Sequence, residues 1–540
     1  MDMRFKYLLF APIVYFSVNS TKASNKPRPN ILCITCEDIS PRLGCYGDRV
    51  AVTPNLDKFA KKAIRYTGMY TTVGVSSPSR AALITGMYPT AIGANYMRNF
   101  TKPEAMPEGI PPYQVVLPNG VKCYTEYLRA AGYYCTNNVK TDYQFESPVT
   151  AWDECNNKAH WRNRPNGMPF FSIFNLTVTH ESQIWKRTHQ PLAVNPSDIV
   201  IPPYFPDDTM IRHDMAVMYS MIAEMDKQFK KLIDELKEAG EYDNTIIIWY
   251  SDNGGPLPRE KRAIYETGTN VPFMVSFPDG YRAGDVDDNL YMFPDIPATI
   301  LSLAGINPPE YMQGKAFLGE YTVKEKRQYV YGARDRMDEQ INKQGAVRDR
   351  NFRYVKNYTK GISNYRPNAF RLQMPMMRRM VELLQRDSLG LEQMRWFAGP
   401  CADEEFYDLR NDPYELHNLI ADPRYQDDIV RLRKEHERWV EQECPRWLDT
   451  ELENMEKMWP NGKQPILVRP TYEKTSKGIV LKSEDEGVSF AYQVNGYGID
   501  KKKNHWFLFS KPIKVQKGDR LTFFSVRAGM RESEMVNVIF

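Results

Sequence analysis

Cysteine is sparse in this chain: 8 residues in 540, too few and too scattered for a disulfide scaffold. Cys33, Cys36 and Cys45 lie near the N-terminus, followed by Cys123, Cys135, Cys155, Cys401 and Cys444. Cys33 and Cys36 are spaced C-x2-C, but no second pair follows at zinc-site spacing, so a structural zinc site lacks half its donors. One or two disulfides and buried free thiols both stay open. An excess of charge is missing too: 71 Lys and Arg stand against 67 Asp and Glu, for a net charge of +4. That near balance argues against a dedicated nucleic-acid binder and leaves room for a local basic pocket. Long apolar runs are absent. Tyr7–Val18 spans 12 residues, short of the roughly 20 that cross a bilayer. A mean hydropathy of -0.55 excludes a polytopic membrane protein. With Arg4 and Lys6 before it and Thr21-Lys22-Ala23 after it, the run reads as a secretory signal over residues 1–23. A periplasmic or secreted protein with no stable membrane partner is the expectation. No internal repeat or low-complexity tract interrupts the chain.

What remains can build a large core: 42% of residues are apolar, 12% aromatic and 26% charged. At roughly 150 residues per domain, the length suggests two to four domains. Asn30–Thr35, Phe170–Leu176 and Thr245–Tyr250 are short apolar runs that fit strands buried on both faces. Between them, Thr53 and Pro54 open a helix as N-cap and first residue, Lys122–Ala131 is amphipathic, and Arg212–Ala239 has long helical periodicity. Strands alternating with helices predict a doubly wound, mainly parallel α/β sheet over residues 24–330. In such sheets chemistry gathers beyond the carboxyl ends of the strands. Charge density rises afterwards, and Met374–Arg386 and Ile429–Glu443 read as helices in a smaller α+β subdomain over 331–462. Trp459–Pro465 reads as a linker. Residues 463–540 are strand-rich with repeated glycine turns, a small β module.

The most informative stretch is Val75-Ser76-Ser77-Pro78-Ser79-Arg80, continuing through a helix to Thr85-Gly86. It resembles the signature of the formylglycine-dependent sulfatases, C/S-x-P-S-R followed by a helix and T-G. The resemblance implies an alkaline phosphatase-like fold and a Ser-type enzyme in which Ser76 is oxidised to formylglycine (3-oxoalanine). A hydrated aldehyde offers two hydroxyls on one carbon: one attacks sulfur to give a covalent sulfate ester, and deprotonation of the other expels sulfate. A plain serine has no such internal route to release. Arg80, one turn later, is suited to orient the hydrate. A maturation enzyme that accepts serine is then an implied partner.

Glu37-Asp38 follows the first strand and Asp252-Asn253 follows Thr245–Tyr250. Oxygen donors without nearby thiolate or imidazole favour calcium or magnesium, and the resemblance implies calcium. The family has two Asp at the first position, where this chain has Glu37 and Asp38. Each acidic pair taken alone also suits a helix cap or turn. Lys140 matches the lysine of the family's K-x-H, but Asp142 replaces the histidine, which leaves its role open. His180, after the Phe170–Leu176 strand, matches the histidine that protonates the leaving oxygen. Lys261 matches the lysine ahead of G-x-R-V-P, although Asn270 stands where the family has Arg, and a solvated basic run with Arg259 and Arg262 is the alternative. Phe406–Glu415 resembles the closing E-L-Y-D-L-x-x-D-P-x-E segment, so the likeness spans roughly residues 28–420.

The substrate is less legible. Glu37–Pro41, Lys140–Phe145 and Ala333–Glu339 resemble a bacterial heparan N-sulfatase-like branch whose members act on sulfated glucosamine or N-acetylglucosamine. Arg334, Asp335, Arg336 and Asp338 suit sugar hydroxyls, or a salt-bridged loop. Asn95, Arg98, His160, Trp161 and Arg162 are further pocket candidates, Trp161 suiting either a sugar platform or a core. The expectation is an exo-acting carbohydrate sulfatase that releases an N-, 3-O- or 6-O-sulfate from a glucosamine-type residue of a glycan such as heparan sulfate. Two alternatives stand beside it. One is a phosphodiesterase or phosphonate hydrolase of the same superfamily, disfavoured by only 7 histidines in the chain. The other is a non-catalytic glycan-binding protein with unmodified Ser76.

Overall fold

The computed structural model describes residues 28–498 and 505–540; the secretory signal expected over residues 1–23 lies outside them. Its largest sheet is built from β1 (Asn30–Cys36), β2 (Ala63–Tyr70), β3 (Tyr134–Asn138), β4 (Glu154–Cys155), β5 (Phe170–Leu176), β6 (Thr245–Ser251), β7 (Asn270–Ser276), β8 (Val286–Asp287) and β9 (Tyr291–Met292). The spatial order is β4-β3-β5-β1-β6-β7-β2-β8, with β9 also on β2. All neighbours pair in parallel except at β7, which runs against both β6 and β2.

The alternation of β1 explains why the sheet is covered twice. Ile31 and Cys33 join one apolar core with Ala81, Ala82 and Ile84 of the Ser76–Thr85 helix. Leu32, Ile34 and Cys36 join the other with the long Thr209–Glu238 helix. Side chains three apart on a strand point to opposite faces, so Cys33 and Cys36 cannot share a ligand. All eight cysteines are free thiols. The large helix and the three central strands appear within a few residues of where periodicity puts them. Thr53 differs: it makes no cap hydrogen bond but accepts from the Gly44 amide and donates to Asp57, tying two turns together.

A second, antiparallel sheet of β10 (Val330–Met337), β11 (Gln340–Arg348), β12 (Phe352–Asn357) and β13 (Glu404–Asp408) packs under the Gln426–Arg438 helix. A hairpin, β14 (Thr471–Thr475) with β15 (Gly478–Lys482), precedes a last sheet of β16 (Ser489–Val494), β17 (Phe507–Leu508), β18 (Arg520–Val526) and β19 (Val536–Ile539). Arg527 and Trp506 link that sheet to the Leu117 carbonyl and to Arg129. The stretch read as a linker is pinned as well, because the Trp459 indole donates to the Gln114 carbonyl at 3.0 Å. Among the described residues no helix is long and apolar enough to cross a membrane.

Candidate active site

β1 and β6 are neighbours, so the segments that leave their carboxyl ends meet. Glu37-Asp38 leaves one and Asp252-Asn253 the other, and all four side chains are buried. The Asp38 amide donates to Asp252 Oδ1 at 3.3 Å, and Asn253 Nδ2 donates to Asp38 Oδ1 at 2.9 Å. Ser76 is the first residue of the Ser76–Thr85 helix and points its Oγ at Asn253 Oδ1, 3.1 Å away. The helix dipole and the free amides of that first turn favour an anion there. Gly254 and Gly268 draw the next loop in: a Cβ on either would meet backbone atoms within 2.6 Å.

Each carboxylate faces a cation. Arg80 donates to Asp252 Oδ2 at 2.9 Å and to Asn175 Oδ1 at 2.6 Å, and its remaining terminal nitrogen is buried without a hydrogen-bond partner, 4.0 Å from Glu37. Lys140 Nζ lies 2.7 Å from Glu37 Oε1. Lys261 Nζ lies 2.6 Å from Asp38 Oδ2 and 3.4 Å from Glu181 Oε1. Lys261 is therefore not part of a solvated run; Arg259 and Arg262 are buried with it. Burial pushes the Glu37 carboxyl up, aided by Asp252 and Asp38 and opposed by Lys140 and Arg80. Burial and the ammoniums of Lys261 and Lys140 push His180 down to about 2. Its Nδ1 accepts from the Ser182 amide at 3.2 Å, so the neutral ring carries its proton on Nε2, 3.8 Å from Glu37.

These groups border a cleft of about 600 Å³ lined by Ser76, Arg98, Lys140, Asp142, His180 and Lys261, among others. A recess of about 700 Å³ between Arg282, Asp295, Lys315 and Arg438 holds none of them. Asp142, in the place of the expected histidine, accepts from Ser77 Oγ at 2.8 Å and lies 3.7 Å from Lys140. Burial raises its pKa, yet Lys140 and Ser77 hold it below the ordinary value. Asn270 does not face the cleft. Its amide donates to the Thr67 and Met69 carbonyls, filling a break in the β2–β7 register where the family has Arg. Asp38, Arg98, Asp142, Gln144, Arg259, Arg262 and Asp338 all hold positive φ between 53° and 67°.

The second cluster fares differently. Arg336 is fully buried, and Glu451 accepts from its Nε and a terminal nitrogen at 2.6 Å each. Asp335 accepts from Trp447 and from Asn95, and Arg334 is buried against the Asn364 carbonyl. Arg334, Asp335, Arg336 and Asn95 do not line the cleft; they bond other protein groups, with Arg334 Nε and Asn95 Oδ1 left buried without a hydrogen-bond partner. Asp338 is one step closer, bracing Arg98 at 2.7 Å and Arg262 at 3.3 Å. Trp161 packs in the core, stacked on Phe170 at 5.8 Å, while His160 and Arg162 reach Glu235. Sequence reasoning passed over Glu181. It is wholly buried, ion-paired to Arg262 at 2.7 Å, and its amide donates to Asp38 Oδ2 at 2.7 Å. Its only local signal is adjacency to His180.

Hard oxygen donors make up the set of Glu37, Asp38, Asp252 and Asn253, the chemistry that fits calcium or magnesium. As the side chains stand, lysine and arginine meet those carboxylates, and among the described residues no three His, Cys, Asp or Glu side chains gather as closely as a bound ion requires. The buried carboxyl of Glu37, raised by burial and by Asp252 and Asp38, and the unpartnered Arg80 nitrogen beside it fit a bound cation and a modified Ser76 respectively.

The Sulfatase family model matches residues 29–306, and one for the C-terminal part of N-sulphoglucosamine sulphohydrolase matches residues 259–365. An ulvan-active sulfatase of Formosa agariphila is 39% identical over 96% of this chain and 92% of its own. Human N-sulphoglucosamine sulphohydrolase is 25% identical over 78% of this chain and 92% of its own. The phosphonate monoester hydrolase of Agrobacterium radiobacter shares the fold with a TM-score of 0.55 and 16% identity, over 85% of this chain and 100% of its own. The fold alone thus leaves the reaction open, and the family match decides it: this chain belongs to the sulfatase family, a sulfuric ester hydrolase of alkaline phosphatase-like fold.

Proposed function

We propose that the protein is an exported carbohydrate sulfatase, matured at Ser76 to formylglycine by a serine-accepting enzyme, that removes a sulfate ester or sulfamate from a sulfated glycan. The observation that carries this reading is the placement of Ser76 Oγ at a helix N-terminus, against Asn253 and between Arg80, Lys140, His180 and Lys261. Glu37, Asp38, Asp252 and Asn253 would hold the divalent cation, calcium before magnesium. When present, the hydrated formylglycine supplies one oxygen to attack sulfur and a second whose deprotonation releases sulfate, while the cation polarises the sulfate oxygens.

The chain's own residues do the rest. Arg80, fixed by Asp252 and Asn175, offers its free N–H groups beside residue 76. Lys140, on Glu37, and Lys261, on Asp38, both line the cleft and supply positive charge for the sulfate oxygens. His180 presents Nε2–H to the cleft, a proton for the leaving oxygen or nitrogen. Glu181 holds Lys261 and Arg262 in place.

A glucosamine-type substrate follows from the human relative and the C-terminal family match. Ulvan follows from the 39% relative, which covers more of the chain. The test is sulfate release by matured protein from sulfated glucosamines, N-acetylglucosamine 3- and 6-sulfates and ulvan oligosaccharides, with S76A as control. Release that vanishes in the control supports the reading. No release, with the Ser76 peptide two hydrogens lighter by mass, defeats it for these sugars.

A further inference from the structure

Phe370 is half-buried against three residues that line the cleft, Arg98, His180 and Arg262, with three cations around its one ring. Arg98 Cζ lies 5.6 Å from its centroid, Lys102 Nζ 5.2 Å and Arg262 Cζ 5.9 Å. His180 and Trp185 meet the same ring edge-on at 6.2 and 5.2 Å. The ring is held from both flanks. Asn368 donates to Asp338 at 3.0 Å, the Ala369 amide donates to Glu339 at 2.8 Å, and the Arg371 guanidinium donates to the Lys261 carbonyl. The loop is thereby fastened to the segment that carries Lys261.

The cations are unevenly paired. Asp338 accepts from Arg98 and Arg262, and Glu181 is shared by Arg262 and Lys261. Lys102 makes no ion pair among the described residues. The flank beside His180 therefore carries an excess of positive charge on a rigid aromatic wall. Asp142 and Glu146 border the cleft too, but Asp142 is engaged by Lys140 and Ser77. The ring serves as the surface over which these cations are held in place, and the unpaired Lys102 ammonium beside Arg98 is suited to select a further anion.

Resting on the sulfatase reading, we propose that Phe370, Arg98 and Lys102 form a specificity subsite for a second acidic group on the substrate, a carboxylate or another sulfate beyond the one removed. Because His180 faces the leaving group and abuts Phe370, the subsite takes the sugar that departs rather than the sulfate that is captured.

The test compares matured enzyme on three substrates: a singly sulfated neutral sugar, the same sugar with a second sulfate, and a sulfated disaccharide carrying a uronate. Expected is a preference of about 10-fold or more in kcat/KM for at least one doubly anionic substrate, shrinking as salt rises. K102Q should remove most of that preference through KM with kcat held, and K102R should restore it. The two doubly anionic arms tell carboxylate from sulfate. Release from all three without preference, or a preference that K102Q leaves intact, overturns the subsite while the sulfatase reading stands. No release from any, with Ser76 shown to be matured, overturns both.

Discussion

Two buried charge clusters in this molecule look alike as sequence and behave differently as structure. Around Ser76, the cleft-lining Lys140 and Lys261 pair with Glu37 and Asp38, and Arg80 pairs with Asp252 while keeping a buried nitrogen unspent. Around Arg336, the guanidinium closes on Glu451, Met97 and Asp338. Charge content does not mark a site. Nor does an unspent buried atom, because Arg334 Nε and Asn95 Oδ1 are unspent in the second cluster too; the difference is that Ser76, Lys140, His180 and Lys261 line a cleft and Arg334, Asp335 and Arg336 do not.

The contrast can be broken first at His180. H180Q should lower release from a sugar sulfate by roughly 10²- to 10³-fold and spare an aryl sulfate, whose phenolate leaves without a proton. Equal losses on both substrates would remove His180 from the proton-donating role. At Arg336 the effect should fall on stability. R336M leaves Glu451 buried with no cation, only the Tyr113 hydroxyl, and denaturant unfolding should show a loss of about 3–5 kcal/mol with kcat of the folded fraction nearly unchanged. A large loss of kcat at unchanged stability would place this cluster among the functional groups after all.

A smaller effect sharpens the same point at His436. Burial, with Lys356 adding to it, pushes its pKa down to about 4, and its Nε2 meets the Tyr358 hydroxyl at 3.0 Å. A pKa depressed on folding contributes stability above the unfolded value near 6.5, which is lost as pH falls toward 4. By pH 5 the cost should be about 2 kcal/mol, read as a drop in urea midpoint that H436Q flattens.

Much of the centre was legible because it is local. Ser76, Arg80 and Thr85-Gly86 sit on one helix, and Asp252-Asn253 follows the strand whose apolar run announces it. Partner choice was not legible. Arg336 meets Glu451 across 115 positions and Asp38 meets Lys261 across 223, and no periodicity encodes such pairings. Trp161 shows the same limit: a tryptophan between His160 and Arg162 suits a sugar platform until the adjacent β5 claims its face. Phe370 lies in a loop between elements, so only the tertiary anchors at Asp338 and Lys261 reveal where it stands.

The left-handed backbone at Asp38, Arg98, Asp142, Gln144, Arg259, Arg262 and Asp338 sets a direction for engineering. Each holds a conformation that glycine adopts freely and an L side chain adopts at a cost of about 1 kcal/mol or more. Glycine at these positions would relieve that strain but delete a buried ion pair or hydrogen bond that outweighs it, such as Arg262 from Glu181 and Asp338 or Gln144 from the Tyr96 carbonyl. The strain and the pairing that holds it come as one unit, so thermostable variants are best sought among sites far from Ser76.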